Sequence, residues 1–80
     1  MDYVAQIKEL SAEQLDEALR RAEASLEDVL EERRFTLGQT GVHIGAVELS
    51  RLQRSWASEE ARWQERIAAI KERLAELRRP

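Results

Sequence analysis

The residues that could do chemistry are few. His43 is the sole histidine and the chain has no cysteine, so a nucleophile with its base would have to borrow a serine from elsewhere in the chain. His43 falls on the polar phase of a short alternating run, where a solvated side chain is the plainer reading. Metal binding has no HxxxH, no paired cysteine and no ExxH spacing to build on. The carboxylate pairs Glu31-Glu32 and Glu59-Glu60 are adjacent in sequence, which sets them about 100° apart on a helix and on solvated faces. Gly38 and Gly41 share the spacing of a loop glycine pair but lack the Lys-Ser/Thr that makes a phosphate-binding loop specific. The expectation is a protein with no catalytic, cofactor or metal residues.

Tryptophan and arginine offer binding rather than catalysis. Trp56 and Trp63 lie seven residues apart and hence on one helical face, where they either fill a helix interface or anchor a partner. Arg33-Arg34 and Arg78-Arg79 are the candidates for contact with DNA phosphates. The alternative for the terminal pair is service to the negative end of a helix dipole.

The elements that must position these side chains follow from punctuation. All three glycines lie between positions 38 and 45 and the single proline is residue 80, so helix breakers are missing from 1–37 and 46–79. Two long helices around one connection are expected. Ser11 and Gln14 form a capping-box pair at the start of the first helix, flanked by Leu10 and Leu15 as a hydrophobic staple. From there Leu15, Leu19, Ala22, Leu26 and Val29 step by 4, 3, 4 and 3 along one face. Asp16 to Arg20 and Glu17 to Arg21 are acid-before-base pairs at i,i+4. Residues 1–10, with Tyr3, Val4, Ile7 and Leu10 at helical spacing and Asp2 as a cap, form either a short separate helix or an extension of the first.

The second helix carries a seam of Leu49, Leu52, Trp56, Glu60, Trp63, Ile67, Ile70, Leu74 and Leu77. Its steps are heptads with one longer interval, a stutter, and only Glu60 breaks the apolar series. At 1.5 Å per residue the second helix outruns the first by roughly 10 Å. Ile67, Ile70, Leu74 and Leu77 are therefore expected to overhang, covered by residues 2–10 or, the favoured expectation, by another chain.

Between the helices, Phe35 and Leu37 alternate with polar residues, and Val42 and Ile44 alternate around His43. Alternation on both sides of a glycine-containing turn predicts a β-hairpin packed on the helices. The alternative is an irregular glycine-rich loop. The fold class expected is thus mainly α (α+β), an α-β-β-α chain: one small domain with an N-terminal segment 1–10, a helix 11–34, a hairpin 35–45 and a long helix 46–79.

Charge divides along the chain. Residues 1–32 carry ten carboxylates against three cations, net −7, while residues 33–80 carry six against ten, net +4. Such a split either recruits an anionic partner to the basic half or lets the halves face each other, and an overall charge of −3 disfavours broad DNA binding. No stretch approaches the roughly 20 apolar residues of a membrane span, and the chain is expected to be soluble and cytosolic. Eighty residues bury about 60–65% of their unfolded surface, so partner surface is an expected supplement.

The order helix, hairpin, helix, with Arg34-Phe35-Thr36-Leu37-Gly38, then Gly41-Val42-His43-Ile44, then Val47-Glu48-Leu49-Ser50-Arg51-Leu52 leading into a Trp-bearing helix, resembles the lambda W-like head-tail joining (head completion) proteins of tailed phages. The similar stretch covers about residues 26–64, and the second helix here is longer than in that family. The resemblance implies a non-enzymatic virion protein, made in the host cytoplasm, that forms a homo-oligomeric ring at the portal and helps retain packaged DNA. It implies neighbour and portal contacts through the hairpin, Phe35, Leu37, Val42 and Ile44. The residues themselves add Trp56, Trp63, Ile67, Ile70, Leu74 and Leu77 as interface candidates. The alternative function is a cytosolic helical-hairpin adaptor or coiled-coil oligomer that binds a protein partner along that seam. A small nucleic-acid-binding regulator is the third.

Overall fold

The computed structural model describes residues 2–38 and 45–79. Three helices run in chain order: α1 (Tyr3–Ile7), α2 (Ala12–Gly38) and α3 (Ala46–Arg78). The first two starts have a plain sequence cause. Asp2 accepts a hydrogen bond from the Val4 N–H at 3.2 Å and begins α1. At the head of α2 the capping box forms reciprocally: the Gln14 N–H donates to Ser11 Oγ at 3.1 Å and the Ser11 N–H donates to Gln14 Oε1 at 2.9 Å.

α2 and α3 form an antiparallel hairpin. Two cross-helix ion pairs fix the alignment: Asp16 with Arg78 at 2.8 Å and Arg33 with Glu60 at 3.2 Å. The pairs are separated by 17 residues on α2 and 18 on α3, so the helices run in step. The end of α2 at Gly38 then stands level with about residue 55, and the first nine or ten residues of α3 project roughly 15 Å beyond it.

The overhang therefore lies at the start of α3, whereas the sequence placed it over Ile67 to Leu77. The expected exposure of that C-terminal stretch is also corrected. Residues 3–10 fold back over it, with Ile7 buried together with Leu15, Ala22, Ile70 and Leu74, and with Tyr3, Leu10, Trp63 and Ile67 packed around them. Arg66 ties the layers by stacking over the rings of Tyr3 (4.7 Å) and Trp63 (5.3 Å). Arg73 adds a hydrogen bond to the Lys8 carbonyl at 3.4 Å.

The expected β-hairpin is overturned in its first arm. Phe35, Thr36, Leu37 and Gly38 are the last turn of α2, and no strand occurs among the described residues. The second arm, including Val42, His43 and Ile44, lies outside the described residues. The helix continues because its seam does: Leu26, Val29, Arg33 and Thr36 keep the 3,4,3 stepping, all at least half-buried. Two of those seam positions are polar. Arg33 is tolerated there because Glu60, the one break in the α3 seam, meets it across the interface. Arg33 conceals the end of the α2 seam from a reading based on apolar residues, whereas Glu60 stays within the α3 seam because apolar residues flank it on both sides.

Candidate functional site: an uncovered face of the helical hairpin

Residues along α2 and α3 sort onto two sides of the hairpin. On the front, α1 lies against α3 near Arg66, Ala69 and Arg73. At 100° per residue, Gln64, Ala68 and Lys71 stand nearly half a turn of the helix away, on the back. There they form an open groove of about 420 Å³ with Glu23, Leu26, Glu27 and Leu30 of α2. The groove floor is half-buried Leu26, Leu30 and Ile67, and Ala68 is exposed. Leu37, one heptad beyond Leu30, is 50% exposed and prolongs the apolar strip toward the end of α2.

The groove walls differ in charge. Glu23 and Glu27 line the α2 side and Lys71 the α3 side. Glu27 accepts a hydrogen bond from Arg34 at 3.3 Å, whereas Glu23 and Lys71 form no ion pair among the described residues. The α3 wall is Gln64, Ala68 and Lys71, all exposed, with Ala61 one heptad before Ala68 on the same face. Such a surface lets another helix approach closely and bury its side chains against Leu26 and Leu30.

The interface residues selected from the sequence separate on this frame. Trp56, Ile70 and Leu74 are buried, and Trp63 and Ile67 are half-buried. Trp56 therefore fills the chain's own interior. Leu77 is 42% exposed, and Phe35 is 69% exposed on the outward side of the last turn of α2. Val47, which the sequence did not single out as a site, is 68% exposed on the projecting start of α3.

The arginines considered for phosphate contact are mostly engaged with carboxylates. Arg33 pairs with Glu60, Arg34 with Glu27, and Arg78 with Asp16. Arg79 is the exposed C-cap residue of α3. Asp16, expected to pair with Arg20, reaches across to Arg78 instead. Glu17 takes both neighbouring arginines, at 2.6 Å from Arg20 and 3.2 Å from Arg21. The hydrogen bond from Arg20, and then its charge, hold the Glu17 carboxyl below its ordinary range, and the same contact raises the Arg20 guanidinium.

Among the described residues no cluster of three or more metal-ligating side chains occurs. No helix of the described residues is long and apolar enough to cross a membrane. The arrangement as a whole is a shallow trough with an apolar floor, an acidic wall on α2 and Gln64, Ala68 and Lys71 on α3.

No protein-family model matches the chain, and neither a curated protein nor a solved structure was found to match it.

Proposed function

We propose that this chain is a non-enzymatic helical-hairpin interaction module, which docks a helix of a protein partner on the back face of α2 and α3. One observation carries the proposal: α1 seals the front of the hairpin, while Leu26, Leu30 and Ile67 on the back remain only half-buried beneath an open groove. Fully burying a leucine or isoleucine is worth about 1.5–3 kcal/mol, so covering the remaining third or less of Leu26, Leu30 and Ile67, together with the 50% exposed Leu37, would contribute at most about 2–4 kcal/mol. A photo-crosslinking residue in place of Ala68, on the groove, tests it. Adducts are expected there and not from the same residue at Arg21, whose side chain is 80% exposed and lies about 160° around α2 from Glu23. Equal adduct formation from both positions, or none from Ala68, contradicts the proposal.

A second reading is a head-tail joining component of a phage virion, docking at a portal and helping retain packaged DNA. It is supported by Phe35 and Leu37, which lie in the run that carries the resemblance and are 69% and 50% exposed. Native mass spectrometry with a candidate portal ring tests that reading. It predicts a higher-order complex that Phe35→Ser removes.

A further inference from the structure

We infer that the occupant of the back groove is a second copy of this chain, placed by a two-fold axis parallel to the helices so that two hairpins form an all-antiparallel four-helix bundle. The inference rests on the reading of the back face as a docking face and names its partner.

Charge selects both the partner and the arrangement. α2 carries eight carboxylates against Arg20, Arg21, Arg33 and Arg34, net −4. α3 carries seven cations against six carboxylates, net +1. An isologous contact requires that if one residue meets another, the reverse contact also forms. Two kinds of two-fold axis can bring the back faces together. An axis perpendicular to the helices sets α2 on the partner's α2 and α3 on the partner's α3, facing acid with acid. An axis parallel to them sets each α2 on the partner's α3, antiparallel and in the step already used within the chain.

In that second arrangement Glu23 of each copy stands against Lys71 of the other, two pairs made by groups that form no ion pair among the described residues of one chain. Leu26 and Leu30 meet the partner's Gln64 and Ala68, and the small Ala68 leaves room for a leucine, as close helix packing requires. The α1 helices remain outside, on the two front faces, where they do not obstruct the contact.

Sedimentation equilibrium across a concentration series is expected to give a dimer. Lys71→Glu and Glu23→Lys should each weaken it by about tenfold or more, since like charges then meet twice, and the double variant should recover most of the loss. Both positions are exposed, and circular dichroism should show unchanged helicity. Because the chain has no cysteine, Ala46→Cys gives one spin label per copy. The parallel axis puts the two labels at one end of the bundle, within about 30 Å, whereas the perpendicular axis separates them by about 60 Å. A monomer at every concentration, a dimer indifferent to both charge reversals, or the longer distance overturns the inference. A monomer whose Ala68 photo-crosslink captures a different protein also overturns it and leaves the docking-face reading standing.

Discussion

The two faces of the hairpin are built from the same pair of helices and differ in what lies on them. On the front, the residues of α1 and the turn after it put Ile7 and Leu10 onto the core and a tyrosine under Arg66. On the back, nothing among the described residues covers Leu26 and Leu30. The buried core among the described residues is short: Ile7, Leu15, Ala22, Val29, Trp56, Ile70 and Leu74. The difference is that α1 adds to the buried core on one face, and the other face is the one proposed for assembly.

The largest effect should come from the front. Ile70 is fully buried beneath α1, and Ile70→Ala should cost about 2–5 kcal/mol in chemical denaturation, a large share of what so small a domain can hold. A much smaller loss would mean that α1 does not seal that side.

Next is the polar break in the seam. Arg33→Ala leaves Glu60 half-buried without its cross-helix cation and should cost about 1–3 kcal/mol. The paired change Arg33→Leu with Glu60→Leu should be neutral or stabilising, because two leucines avoid the desolvation of the ions. Thermal melts of the single and double variants distinguish these outcomes, and a double variant less stable than Arg33→Ala would contradict the seam assignment.

Ser11→Ala removes one half of the capping box between α1 and α2 and should cost about 1 kcal/mol. On the back, Ala68→Glu should leave monomer stability within about 0.5 kcal/mol while abolishing association. That contrast with Ile70→Ala is the sharpest form of the comparison between the faces.

The smallest effect concerns pH. The Glu17 carboxyl is held below its ordinary value of 4.5, first by its hydrogen bond from Arg20. A lowered folded value means that its stabilisation is complete above 4.5 and is lost as pH falls through the lowered folded value. Both partners are exposed, so the effect is slight. Arg20→Gln should flatten this part of the acid titration, seen by following helicity as the pH is lowered.

Much of the architecture is legible in the sequence. Ser11 and Gln14 mark the start of α2, Asp2 caps α1, and the lack of breakers between 46 and 79 delimits α3 to within a residue. The strand expected at Phe35 and Leu37 fails because three residues of alternation are too few to separate a period of 2 from one of 3.6. Arg33 compounds the error, since a seam read by apolar residues loses its phase where an arginine takes a leucine's place. For the cover over Ile70 and Leu74 the sequence leaves two possibilities, residues 2–10 or another chain. What decides it is that Ile7 and Leu10 lie within one chain reversal of Leu15.

The docking face is the least legible part. Its α3 wall is Gln64, Ala68 and Lys71, none of which stands out in an apolar pattern, and the Leu26 and Leu30 that flank it read as ordinary core. Trp56, the residue type most suggestive of a binding anchor, fills the chain's own interior at 4% exposure. Ala61 and Ala68, one heptad apart on the face of α3 turned away from Arg66 and Ala69, are the signal that could have found it.

Hydroxyl-radical footprinting at concentrations below and above self-association tests the central claim most directly. Leu26, Leu30 and Ile67 should gain protection as the mass doubles, while Tyr3 and Leu10 on the front stay unchanged. Protection gained at Tyr3 and Leu10, with Leu26 and Leu30 unaltered, would contradict it.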